Sequence, residues 1–228
     1  MEYPGLELET FDKAKIWRKY TFLLIKKYFK DEILEVGAGI GSFTKNYINK
    51  FNNITLSETD NKNLEEIKKK FSNISKINIE NNLIQNINKK FNTIIYLNVL
   101  EHIENDIAEI NSAIGKLNDN GYLIILVPAH QKLYSKFDKA VGHVKRYELD
   151  FFKKNNFKNA ELVDLYYLDY LGYLLYYINR IFFKEETWPS KYKVMFWDKF
   201  FTPITILIDF LLRYRFGKNI MCIYRKNN

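Results

Sequence analysis

Short apolar runs alternate with stretches of helical periodicity over the first two thirds of the chain. Segments at 33–36, 54–58, 75–79, 93–97 and 122–127 carry branched apolar residues, in runs or alternating with polar ones, and predict strands. The segment 11–30 places Ile16, Tyr20, Leu23, Leu24 and Ile25 near helical spacing, and 61–71 and 102–117 predict two further helices. Within the last of these, Ile107, Ile110 and Ile114 form a stripe read as core. Such alternation calls for an α/β fold, a parallel sheet covered by helices on both faces. No internal repeat or low-complexity linker interrupts it.

The last third departs from this rhythm. Strands are expected at 161–167 and 219–224, with the long segment 168–218 between them. Aromatic and aliphatic residues crowd 170–178, 180–183, 196–201 and 206–212. Asp169, Arg180, Pro203 and Asp209 break these runs before they reach the roughly 20 apolar residues of a spanning helix. A helical, aromatic-rich insertion that does not cross a membrane is therefore expected. Packing as a cap on the sheet accounts for its apolar stripes. A homodimer interface, an apolar ligand pocket, or contact with a membrane surface are the functional alternatives.

The chemistry concentrates at 33–44, where an apolar strand runs into a carboxylate and three glycines. Gly37, Gly39 and Gly41 can take dihedrals closed to other residues and let a ligand approach the backbone. Ser42, or the loop itself, is then expected to cap a helix carrying Phe43 and Tyr47. A dinucleotide site would place its first glycine directly after the strand and a pyrophosphate on the helix N-terminus. The spacing Glu35-x-Gly37-x-Gly39-x-Gly41, led by an acid, instead resembles the first motif of the class I S-adenosylmethionine-dependent methyltransferases.

The resemblance extends over residues 15–165 and implies a Rossmann-like, seven-stranded, mostly parallel sheet with an antiparallel last strand. The insertion then falls between strands six and seven. It further implies that Glu58, with Asp60 as the competing assignment, accepts the ribose hydroxyls of the cofactor. Asn82 and Leu83 would meet the adenine, and Asn98 and Val99 the methionine half, with Tyr20, Glu35, Ala38 and Thr59 completing the cofactor set. Asn82 and Asn92 stand where relatives often carry Asp. An Asn oxygen can still accept from the adenine amino group.

After the fifth strand, 127–147 gathers Pro128-Ala-His130, Tyr134, Asp138 and Gly142-His143-x-x-Arg146-Tyr147, similar to a branch of bacterial methyltransferases carrying this loop. Ligands of open α/β sheets bind beyond the carboxyl ends of the strands, so His102, His130 and His143 are expected over the pocket. Methyl transfer needs alignment first and a base only for a protonated acceptor. His143 or His102 could take that proton, and Asp138 could orient the imidazole. Arg146 could fork onto an anionic part of the substrate, beside His130, Tyr134 and Tyr147. The same Gly-His-x-x-Arg-Tyr turn could equally lock a lid with hydrogen bonds. No metal is expected, because no ligand pair shows helical metal spacing.

Composition narrows the partners. The 228 residues, 47% of them apolar, support one domain: a helical cap at 1–30, a core of 31–167 and 219–228, and the insertion at 168–218. A single cysteine, Cys222, excludes an intramolecular disulfide and a thiolate zinc site, and its apolar neighbours predict a buried strand position. The net charge of +8 comes from lysines scattered among Glu and Asn, which argues against a nucleic-acid surface, and no Asn-Pro-Pro-Tyr-like motif follows the fourth strand. The start lacks the basic-then-apolar pattern of a signal peptide, so a cytoplasmic protein is expected, with contact at the inner membrane surface as an alternative. The expected activity is methylation of an oxygen or nitrogen of a small molecule, a saccharide or lipid-linked intermediate, leaving S-adenosylhomocysteine. An RNA or protein methyltransferase, or a non-catalytic cofactor-binding partner subunit, are the alternatives.

Overall fold

A computed structural model describes residues 6–182 and 190–228. Seven strands form one sheet: β1 (Ile33–Val36), β2 (Ile54–Ser57), β3 (Ile77–Glu80), β4 (Phe91–Leu97), β5 (Leu117–Pro128), β6 (Ala160–Leu168) and β7 (Asn219–Lys226). Their order is β3-β2-β1-β4-β5-β7-β6. The first five are parallel, and β7 runs antiparallel to both β5 and β6. This is the expected Rossmann-like architecture, with the chain reversing direction on either side of β1 and opening a crevice above β1 and β4.

The period-two alternation of strand side chains divides the core between the two faces. Leu34, Ile94 and Ile125 pack on one side with Ile110, Ala113 and Ile114 of α4 (Asp106–Gly115) and Phe152 of α6 (Leu149–Lys154). Ile33, Ile95 and Ile124 pack on the other with Phe22 and Ile25 of α2 (Lys15–Ile25) and Ile67 and Phe71 of α3 (Asn61–Phe71). Cys222 is fully buried in β7, where its expected role as a small strand residue places it.

Several expectations need correction. Strand β5 begins at Leu117, not 122, because Asn118-Asp-Asn-Gly121 carries a register shift and a left-handed Asn120 within the strand, where it reads as a turn. The helix expected over 11–30 is shorter: only α2 lies within it, after a separate α1 (Leu6–Phe11) and before a 3₁₀ turn at Lys26–Tyr28. Helix α2 starts at Lys15 because Asp198, far along the chain, accepts the backbone N–H groups of Ile16 and Trp17 at 2.8 and 2.9 Å. That carboxylate supplies the cap that Ala14 cannot. Ile107 is 43% exposed, so the core stripe of α4 holds only Ile110 and Ile114 of the three expected residues.

The insertion contains α7 (Tyr170–Phe182), α8 (Lys191–Phe196), a π turn (Trp197–Phe201) and α9 (Thr202–Leu211). Residue 183, the end of one expected apolar run, lies outside the described residues. Buried Asp209 ties the insertion to the core, accepting from the N–H groups of Asp169 and Tyr170 at 2.9 and 3.0 Å and from the Tyr20 hydroxyl at 3.2 Å. Among the described residues no helix is long and apolar enough to cross a membrane.

Candidate active site

Beyond the carboxyl ends of β1 and β4 lies a cleft of about 1900 Å³. The glycine loop forms its floor. Gly37, Gly39 and Gly41 all adopt left-handed dihedrals, φ of +61°, +57° and +72°. Two of them also have neighbours a side chain would strike. A Cβ on Gly37 would sit 2.7 Å from Val99 Cγ2, and one on Gly41 would sit 2.2 Å from the Phe71 ring. Gly41 therefore serves packing against α3 and does not line the cleft.

The helix expected after this loop does not form. Residues 39–50 are turns around a short 3₁₀ segment, Thr44–Asn46. Left-handed glycines hold the start of the coil, and Ser42 donates to Asp12 at 2.5 Å instead of capping a helix. Glu35 pins the rest: its buried carboxylate accepts from the Thr44 hydroxyl at 2.7 Å and the Tyr47 hydroxyl at 2.5 Å. The leading acid, assigned from sequence to the cofactor set, thus uses its Oε2 to fasten the loop.

Burial pushes the Glu35 carboxyl up to about 7, against the lowering effect of those two hydroxyl bonds. Because the fold holds this proton while the unfolded chain releases it near 4.5, stability declines as pH rises from about 4.5 to 7 and stays reduced above that range. A shift of this size corresponds to about 3 kcal/mol. Glu35→Gln keeps an oxygen for Thr44 and Tyr47 without the charge. Its stability relative to wild type is expected to improve by that order between pH 4.5 and 8 in urea titrations; parallel profiles would refute the assignment.

Glu58 directly follows β2, against the loop. Its Oε2 accepts the Gly39 N–H at 2.8 Å, and its Oε1 accepts the N–H groups of Thr59 and Asp60 at 2.8 and 2.9 Å. A carboxylate offers about four acceptor positions, so one remains on Oε2 for a ribose hydroxyl. Asp60, the competing assignment, caps α3 through the Asn63 N–H at 2.9 Å. Ala38, Thr59, Asn82, Leu83, Asn98 and Val99 line the same end of the cleft with Glu35, Gly37, Gly39 and Glu58. The Asn82 amide nitrogen is held by Glu80 at 2.9 Å, which turns the amide oxygen toward acceptor duty. Tyr20, assigned to the cofactor from sequence, lies outside the cleft, because its hydroxyl is drawn to Asp209 in the core.

The far end of the cleft is built from the turn after β4 and the segment after β5. Asp138, fully buried, accepts from His143 Nδ1 at 2.7 Å and from Arg146 Nε and Nη2 at 2.9 Å each, and forms a capping box with Ser135 at the start of α5 (Lys136–Ala140). Burial raises this carboxyl, but the bonds from His143 and Arg146 overcome it and hold it far below the usual carboxylate range. Arg146, expected to grip substrate, lines the cleft while its guanidinium is engaged with Asp138.

His143 Nε2 points toward Glu101, 3.8 Å away, and the His102 and His143 rings meet with centroids 4.8 Å apart. Burial and the neighbouring His143 lower His102 to about 4, so its imidazole is neutral at ordinary pH. Burial lifts Glu101 to about 8. Glu101 was not singled out from sequence, although it directly precedes His102 in the same loop. Its importance depends on burial, which sequence does not display.

Three residues assigned to substrate lie outside the cleft. The Tyr134 hydroxyl donates to the His143 carbonyl at 2.6 Å, and the Tyr147 hydroxyl is bonded to Asp106 and the Leu100 carbonyl at 2.9 and 3.1 Å. His130 has left-handed φ, meets the Gly217 carbonyl at 3.0 Å through Nε2 and stacks on Tyr167. These side chains lock the loop, which is the lid-fastening role that the motif also allowed. Trp17, Arg18 and Trp197, from α2 and the insertion, line the cleft without having been foreseen.

A Rossmann-like sheet with an antiparallel β7, a glycine loop after β1 and an acid closing β2 defines the class I methyltransferase fold. The sequence profile described as Methyltransferase domain matches residues 9–167, and the chain belongs to that family. That places it among the methyltransferases. No curated protein matches the chain. Among solved structures it is similar to a S-adenosylmethionine-dependent methyltransferase from Clostridium acetobutylicum, at 16% identity over 94% of this chain and 92% of the other, TM-score 0.60. The N-methyltransferase NodS from Bradyrhizobium japonicum, in complex with S-adenosylhomocysteine, matches at 12% identity over 99% and 89%, TM-score 0.56. Coclaurine N-methyltransferase, bound to N-methylheliamine and S-adenosylhomocysteine, matches at 14% over 90% and 71%, TM-score 0.59. At such identities these structures share its fold.

Proposed function

We propose that this enzyme methylates an oxygen or nitrogen nucleophile of a small molecule. The observation that carries this reading is the construction of the cleft: glycine loop and Glu58 at one end, the His102–His143 pair at the other, and α2 with the insertion along its wall. That wall supports a bounded acceptor over a polymer lying across an open surface. The two similar N-methyltransferases, one of them bound to N-methylheliamine, support the same class of acceptor. Exposed Leu207, Phe210 and Leu211 on α9, beside Arg213 and Arg215, favour a saccharide or lipid-linked acceptor presented at a membrane surface as the finer reading. In the methyl-transfer step the nucleophile displaces S-adenosylhomocysteine, and alignment of the two ends of the cleft supplies much of the rate.

The test is transfer of labelled methyl from S-adenosylmethionine to panels of amines, hydroxylated small molecules, lipid-linked saccharides, RNA and protein. Turnover confined to small or lipid-linked acceptors upholds the proposal. Turnover confined to RNA or protein overturns it.

A further inference from the structure

We propose that Glu101, His102 and His143 bind a divalent transition-metal ion at the acceptor end of the cleft. One ligand atom from each residue falls within a mutual separation of 4.8 Å. Glu101 is 0% exposed, and among the described residues neither carboxylate oxygen has a hydrogen-bond partner. A buried carboxylate left this way is costly unless something neutralises or coordinates it. The Val144 N–H donates to the Glu101 carbonyl at 2.8 Å, which holds the two loops bearing the ligands together.

The surrounding bonds orient the imidazoles as metal ligands. Asp138 accepts the His143 Nδ1–H at 2.7 Å, which leaves Nε2 facing Glu101 Oε1 at 3.8 Å. Arg146 fixes Asp138 in turn. A carboxylate behind an imidazole is the usual outer support of a metal-binding histidine. His102 Nδ1 meets the Gly142 carbonyl at 3.2 Å, a pure acceptor, which places the ring's lone pair on Nε2. Donors about 2.1 Å from a cation lie at most about 4.2 Å apart, so small side-chain rotations complete the site.

Two imidazoles and one carboxylate suit zinc, manganese, iron or cobalt better than magnesium or calcium. Three protein ligands leave coordination positions for water or an acceptor oxygen, whose proton the ion would make easier to lose. That use rests on the methyltransferase reading above, whereas ion binding by itself does not.

The full chain, treated with chelator, is titrated with Co²⁺ by visible absorption and with Zn²⁺ by calorimetry, and S-adenosylhomocysteine binding is measured on the same samples. The expected result is one ion per chain. Glu101→Gln, His102→Gln and His143→Gln should each weaken binding at least about 10-fold. His130→Gln should leave it unchanged, since His130 faces Gly217. Retained S-adenosylhomocysteine binding certifies the fold of each variant. Wild type that binds S-adenosylhomocysteine but no ion overturns the proposal, as does undiminished ion binding by Glu101→Gln/His143→Gln. Ion uptake without S-adenosylhomocysteine binding would uphold the metal site and overturn the methyltransferase reading.

Discussion

Asp138→Ala is expected to destabilise the protein by about 3–5 kcal/mol, the usual cost of removing one partner from a buried ion pair. Asp138 accepts two bonds from Arg146, one from His143 and one from the Ser135 hydroxyl, all inside the loop that follows β5. Deleting it leaves the Arg146 guanidinium, 5% exposed, with only a long contact to the Ala129 carbonyl at 3.5 Å and the face of the Tyr176 ring at 5.0 Å. Urea unfolding measures the loss directly. Asp138→Ala/Arg146→Met should recover much of it, because Met fills the volume without a stranded charge. If the double variant is no more stable than the single one, the unpaired guanidinium is not the cause. Methyl transfer should remain impaired in the double variant, since His143 has lost the group that orients it.

Gly37→Val is expected to weaken S-adenosylhomocysteine binding by about 100-fold, roughly 2.7 kcal/mol. Two costs add. A left-handed dihedral costs a side-chain-bearing residue about 1–2 kcal/mol, and more for a β-branched one. The new Cβ would also lie 2.7 and 2.9 Å from the two Val99 methyl carbons, so Val99 or the loop must move within the cofactor end of the cleft. Calorimetry of the variant checks the first effect. Adding Val99→Ala relieves only the contact, so it should restore part of the affinity. Binding within about threefold of wild type would mean that the cofactor does not depend on this turn.

Much of the geometry around the glycine loop was legible because its signals are local. Three glycines at alternate positions, with an acid before them and another at the end of the next strand, constrain the backbone within a few residues of each other. The central strands were legible for the same reason: the short runs of β1 and β2 are buried on both faces of a helix-covered sheet. Failures occurred where local rules met a distant partner. Phe43 and Tyr47 read as part of a helix capped near Ser42 because nothing in their spacing shows that Glu35 draws in Thr44 and Tyr47. Tyr20 read as a pocket residue because Asp209, 189 positions away, is invisible at sequence range.

Sequence by itself determined the alternating α/β architecture, the glycine turn and the candidate cofactor carboxylates, since period, turn chemistry and residue type act over short spans of chain. Tertiary structure decided which polar groups in the loop after β5 face the cleft and which fasten it. Asp138 alone could orient a histidine or hold an arginine, and burial beside both made it do the two at once. It also buried the Glu101 carboxyl, without a hydrogen-bond partner, next to two imidazoles, a juxtaposition that exists only once the chain has folded around it.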